Sequence, residues 1–181
     1  MNKLPDTYAA IDANELISVY ALGPERLNHV LQDLSIFDLD ATPKPGKWSI
    51  RQITVHLTDA EIVGSARIRK VYAESGSQLP VYEQDFWASA FQYHLYDSKE
   101  FYSAVMLFDA LRLCNTKIFQ KAGGDDWRKF GLHPEMGPLT FRQILELYAD
   151  HSERHIGQIL ALRQLIGKKI DYPLLLEKRL Y

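Results

Sequence analysis

The chain has 181 residues, enough for one domain with a full hydrophobic core. It is 46% hydrophobic and 24% charged with a formal net charge of −2, and its lysines and arginines are scattered, so the clustered basic face of a nucleic-acid binder is absent. No window has the apolar length of a membrane span, and a single cysteine excludes an intrachain disulfide. The opening stretch MNKLPDTYAAIDANELI lacks the unbroken apolar run of a secretory signal, and with the lone cysteine this predicts a cytoplasmic protein that engages neither nucleic acid nor membrane.

Residues 1–10 read as a loose lead-in. Asp12–Ala21 is helical in character, and Gly23-Pro24 punctuates it. Proline is tolerated in a first helical turn, so residues 24–34 either restart a helix or continue a kinked one. Leu27, Val30, Leu31 and Leu34 supply its apolar face, with His29 at the boundary. Residues 35–47, with Pro43, Pro45 and Gly46, form a loop.

A well-specified helix start follows. Ser49 and Gln52 form a capping box, and Trp48 and Ile53 sit where a hydrophobic staple closes. The helix is expected over 50–73, with Ile53, Leu57, Ala60, Gly64 and Ile68 along its stripe and His56 leaning to the same side. Residues 75–80 break it. The segment VYEQDFW at 81–87 is dense in acids and aromatics, and reads equally as a lid over a site or as the cover of a bundle end.

The start grammar then repeats. Asp97 with Glu100 and Tyr96 with Phe101 predict a helix over 98–121, stopped by Gly123-Gly124. Leu111, Leu113 and Ile118 are available for burial, and Cys114 among them is expected to be a buried structural thiol. Residues 125–138 read as a loop or short irregular segment. Thr140 with Gln143 and Leu139 with Ile144 open the last helix, over 140–166. The tail beyond Gly167 carries Leu174, Leu175, Leu176 and Leu180, too apolar to float; it should pack on the bundle or on a second copy, and this tail, with the habit of the family named below, makes a homodimer the expectation. Strand-like alternation is almost absent. The expected architecture is an all-α four-helix bundle in one domain spanning 1–181, with its core at about 23–166 and its tail at 168–181.

The chemistry concentrates in the last helix. Its apolar stripe contains His151 and His155, four residues apart and therefore one turn apart on one face. Two readings stand: core histidines satisfied by hydrogen bonds, or a pair of metal ligands. His56 on a facing helix makes a third candidate. Three neutral imidazoles leave a coordination position open, which is the pattern of a catalytic metal centre rather than a closed structural one. The donor set suits zinc and tolerates nickel, copper or iron. Asp59, three residues after His56, and Tyr148, one turn before His151, are candidates to orient a ligand or touch a substrate, against solvated and core-packing alternatives. Asp150 and Arg154 read as an ordinary surface i,i+4 pair. His29, His94 and His133 lack the combination, although His133 could line a site mouth.

Four fragments in order, KWSIRQITVHLTDAE (47–61), YEQDFWA (82–88), HPEMGPLT (133–140) and YADHSERHIGQI (148–159), resemble the DinB-like superfamily, in particular its YfiT branch of metal-dependent hydrolases and bacillithiol S-transferases. The similarity spans roughly Gly23–Ile166. The resemblance implies an up-and-down four-helix bundle that binds zinc or nickel through three histidines, which map onto His56, His151 and His155. Members often carry two adjacent histidines in the last motif, and here Arg154 precedes His155. The implied function is a metal-dependent enzyme acting on a small molecule. It is either a low-molecular-weight-thiol S-transferase attacking an electrophile or a hydrolase, the nucleophile being a metal-bound thiolate or water. A non-catalytic metal-binding or structural bundle is the alternative.

Overall fold

A computed structural model describes residues 8–176. Four long helices carry the fold: α1 (Ala13–Leu31), α2 (Ile50–Ala73), α4 (Ser98–Lys121) and α5 (Phe141–Leu165), with a short α3 (Gln84–Ala90) between the second and third of them. The three capping boxes read from the sequence are formed at Ser49, Asp97 and Thr140. The first helix runs unbroken through Pro24, so the segments read as Asp12–Ala21 and 24–34 are one helix that ends at Leu31. Its N-cap is Asp12, which accepts the Asn14 backbone N–H at 2.8 Å, and the chain before it is anchored by the buried ring of Tyr8.

Around the bundle the order is α1, α5, α2, α4, so α1 faces α2, and α4 faces α5, only across the diagonals. The side-chain contacts give the directions. Thr58 meets Ala104 and Ser65 meets Asn115, so α2 and α4 are parallel; Asn28 meets Asp109 and Tyr20 meets Asn115, so α1 and α4 are antiparallel. The four-helix bundle is present as expected, and its alternating up-and-down order is refined to up, down, down, up. The cause is the segment 74–97, long enough to return the chain along the bundle, where Arg51 near the start of α2 holds the Tyr96 carbonyl at 2.7 Å.

The segment expected to be irregular contains a hairpin. β1 (Phe130–His133) pairs antiparallel with β2 (Gly137–Thr140), and His133 lies opposite Gly137, whose φ of 77° suits the turn. The pattern is only four residues per strand, too short for alternation to register.

The interior is more polar than the stripes suggested. Arg112 is 1% exposed and pairs with Glu61 at 2.7 Å, while its other nitrogens donate to the Tyr20 and Tyr148 carbonyls. Asn115 donates to Glu61 and Ser65, and the Tyr20 hydroxyl donates to Glu61. Arg112, Asn115 and Thr116 therefore face inward, and this rotates Leu113 and Cys114 to the surface. The expected burial of Cys114 is corrected accordingly. Of the pair expected at the surface, Asp150 is interior: it is 2% exposed and accepts the Tyr8 hydroxyl at 2.5 Å, with the partly buried Arg154 at 3.6 Å.

The tail packs on the bundle. Glu153 binds Arg26 at 2.5 Å and accepts the Leu175 backbone N–H at 2.7 Å, Arg26 also holds the Pro173 carbonyl, and Leu176 is buried. Leu180, the last leucine singled out in the tail, lies outside the described residues. Among the described residues no helix is long and apolar enough to cross a membrane.

Candidate metal centre

Helices α2 and α5 are antiparallel and lie close enough for their facing stripes to interlock. Gly64 permits the approach: its missing side chain is the space taken by the ring of Tyr148. One and two turns from that contact, His56 of α2 and His151 and His155 of α5 turn inward together. Their ligand nitrogens all lie within 4.8 Å of one another. The Nε2 of His151 is 3.2 Å from that of His56 and 3.1 Å from that of His155.

Mutual hydrogen bonds cannot satisfy this trio. The Nε2 of His151 holds either one proton or one lone pair, yet it faces two ring nitrogens. The tautomer of His155 follows from its other side, where Nδ1 lies 2.8 Å from Oε1 of Gln158. An amide oxygen only accepts, so Nδ1 carries the proton and the Nε2 lone pair points at its two neighbours. Three nitrogens bound to one ion at zinc–imidazole distances of about 2.0–2.1 Å and tetrahedral angles stand about 3.3 Å apart. The observed separations fit such an ion, and the donor set could hold one.

The electrostatics agree. Burial holds His56 down to about 3, helped by the charges of His155 and Arg154. Burial likewise holds His155 down to about 4, against a raising effect of the Gln158 hydrogen bond. His151 lies well below the usual imidazole range, first from burial and then from the other two histidines and nearby arginines. All three are neutral at pH 7, the state that coordinates a metal.

Aromatic groups roof the trio. Trp48 lies 4.8 Å and Tyr82 6.4 Å from the ring centre of His56, and Trp87 backs Tyr82 at 4.8 Å. The segment read as lid or bundle cover thus lies over the site. Two chambers meet there. One of about 640 Å³ is lined by Lys47, Trp48, Ile53 and Leu162; the other, of about 440 Å³, by Arg67, Tyr82, Tyr148, His151 and Arg154. Gln84, His155 and Gln158 line both.

The remaining candidates fall as follows. Asp59 accepts the Tyr93 hydroxyl rather than a proton from a histidine, and burial raises its carboxyl. Tyr148 lines the second chamber, and burial raises its phenol to about 12, so its proton is retained. His29 stacks on Tyr172 at 4.3 Å, His94 is exposed, and His133 sits behind the second chamber against Arg67. Tyr82 belongs to the segment read as a lid or cover, whereas Gln158 and Arg67 are new to the site. Of these two, Gln158 alone carries a sequence signal, its place three residues after His155.

The model of the DinB superfamily matches residues 20–159, a span that contains all three histidines. A protein of Oceanobacillus iheyensis, named provisionally as a metal-dependent hydrolase, is 25% identical over 149 residues, covering 82% of this chain and 84% of its own. A Bacillus cereus protein of the same provisional name is 26% identical over 145 residues, 80% of this chain and 81% of its own. The fold matches that of YfiT from Bacillus subtilis, a four-helix bundle of unusual topology with metal-dependent hydrolysis as its suggested activity. The TM-score is 0.79 at 22% identity, over 86% of this chain and 87% of that one. It also matches the mycothiol-dependent maleylpyruvate isomerase, with a TM-score of 0.67 at 12% identity, over 84% of this chain and 62% of that one. By the extent of the sequence match, the chain belongs to the DinB superfamily.

Proposed function

We propose that the protein is a metal-dependent enzyme in which a low-molecular-weight thiol attacks a small electrophile, with His56, His151 and His155 holding one divalent ion, zinc or nickel. The observation that carries this reading is the convergence of three neutral imidazoles, one of which, His155, lines both chambers. A bound divalent ion would supply Lewis acidity, making a small nucleophile available at neutral pH. The chain's own residues do the rest. Gln158 fixes the tautomer of His155, Trp48 and Tyr82 shield the imidazole of His56 from water, and Tyr148 offers a retained phenol proton to a substrate.

Two chambers favour a reaction of two substrates over hydrolysis, which needs room for only one molecule besides water. The isomerase neighbour, thiol-dependent by its name, is in keeping with this. Hydrolysis remains the second reading, supported by the names of the relatives. A non-catalytic clip is disfavoured because structural zinc sites normally have four protein ligands.

The test is reconstitution of the purified protein with zinc or nickel, followed by assays with glutathione, bacillithiol and mycothiol against monobromobimane, and with p-nitrophenyl acetate in the absence of thiol. Metal- and thiol-dependent consumption of the bimane supports the transferase. Metal-dependent ester cleavage without thiol replaces it with the hydrolase. Failure to bind stoichiometric metal removes both.

A further inference from the structure

The second chamber contains a buried charge that the fold itself does not balance. Arg67 of α2 is 7% exposed. Its Nε donates to the Pro80 carbonyl at 2.9 Å and its Nη1 to the Tyr148 hydroxyl at 3.3 Å. Its Nη2 lies 3.2 Å from Nε2 of His133. That third contact is not a satisfied hydrogen bond. Nδ1 of His133 accepts the backbone N–H groups of Glu135 and Met136, each at 3.3 Å. The neutral ring therefore carries its proton on Nε2, and two donors face each other.

No carboxylate lies within ion-pair distance of Arg67 among the described residues. The other buried arginines are provided for. Arg112 faces Glu61, Arg26 faces Glu153, Arg51 faces Asp40, and Arg163 donates to the carbonyls of Val30, Gln32 and Lys168, at or just past the C-terminal ends of α1 and α5. A buried guanidinium without a counter-charge is costly unless something supplies one. Arg67 opens onto a chamber of about 440 Å³, a volume suited to a small ligand.

The geometry points to an oxyanion-binding subsite in this chamber, with Arg67 as the recognition group for the carboxylate of a small substrate. The Tyr148 hydroxyl accepts from Arg67, which leaves its own O–H to donate, so guanidinium and phenol together present two donors to two carboxylate oxygens. A carboxylate's two oxygens match these two donors one to one. That the anion belongs to a substrate rests on the proposed function; that the chamber binds it does not.

The experiment uses the full chain, stripped of metal and dialysed free of chelator, so that no ion competes for the ligand. Succinate and its neutral diamide, succinamide, are titrated by calorimetry, with inorganic phosphate in a parallel arm. Succinate is expected to bind at least tenfold more tightly than the diamide and more tightly than phosphate. Arg67→Gln should remove at least tenfold of that affinity, and Arg67→Lys should retain part of it. Equal binding of succinate and diamide, or wild-type succinate affinity in Arg67→Gln, overturns the subsite; phosphate binding more tightly than succinate overturns the carboxylate assignment. If Arg67→Gln does not fold, Tyr148→Phe and Arg67→Lys carry the test, and unchanged succinate affinity in both overturns the proposal. Once metal is restored, competition by succinate against the thiol or against the electrophile tells which of them carries the carboxylate. A protein that binds succinate but no metal keeps the subsite and loses the proposed function, and the converse result loses only the subsite.

Discussion

Gly64 of α2 lies against the ring of Tyr148 of α5 so closely that a Cβ at Gly64 would stand 2.5 Å from Cε1 of the tyrosine. The contact sets the distance between the two helices that carry the three histidines. Gly64→Ala gains about 1 kcal/mol of helix propensity. It must also displace a buried aromatic ring, and overpacking of this kind costs about 1–3 kcal/mol. Net destabilisation is expected in urea unfolding, together with weaker zinc affinity, because His151 lies three residues from Tyr148. A stabilised Gly64→Ala protein with unchanged zinc affinity would show that the close approach is dispensable.

The Glu61–Arg112 pair joins two helices to the backbones of the other two. Glu61 sits on α2 and Arg112 on α4, and Arg112 also holds carbonyls of α1 and α5. Both side chains are 1% exposed. Glu61→Gln leaves a buried guanidinium without its counter-charge, and breaking such pairs costs about 3–5 kcal/mol. Denaturant unfolding should show a loss of that order, whereas Lys70→Gln, at the exposed Lys70–Glu74 pair, should change stability by less than about 1 kcal/mol.

The same pair shows where the sequence was legible. Helix starts were readable because a capping box is local: Ser49 and Gln52 need only each other, and so do Thr140 and Gln143. The histidine trio was readable because imidazoles in an apolar stripe stand out at helical spacing. The inward face of the second half of α4 was not. Hydrophobicity favours Leu111, Leu113 and Ile118, but Glu61 and Tyr20 are partners distant in sequence, and they draw Arg112 and Asn115 inward. Asp150 was misplaced for the same reason, since its partner Tyr8 is 142 residues away. Arg67 could not be recognised as a site residue, because what marks it is the missing carboxylate rather than any neighbour in sequence.

Each histidine of the trio should matter to metal binding, and the remaining three should not. His56→Ala, His151→Ala or His155→Ala is expected to weaken zinc binding by more than the roughly 10–100-fold typical of losing a group that merely orients a ligand. Gln158→Ala, which frees the tautomer of His155, should fall in that 10–100-fold range. His29→Ala should leave affinity unchanged, since His29 stacks on Tyr172 away from the trio. Competition titration against a chromophoric chelator reads all five variants, and full zinc affinity in His56→Ala would exclude the three-histidine centre.

The metal-free protein should lose stability to mild acid, and the direction follows from the histidines. An imidazole in the unfolded chain titrates near 6.5. In the folded chain His155 is held down to about 4 and His56 to about 3, with His151 also well below the usual range. Between the folded and unfolded values the unfolded chain binds more protons, so stability rises with pH in that window and is lost as pH falls through it. The contribution is complete above about 6.5 and erodes progressively down to about 4 for His155 and about 3 for His56. Replacing one of the three by a neutral side chain of similar size, as in His56→Asn, removes one proton uptake from the unfolding reaction. Denaturant midpoints of metal-free protein between pH 7 and pH 5 should therefore fall less steeply in His56→Asn than in wild type. Equal slopes would mean that His56 does not titrate below its unfolded value and is not a buried, neutral imidazole in the metal-free protein.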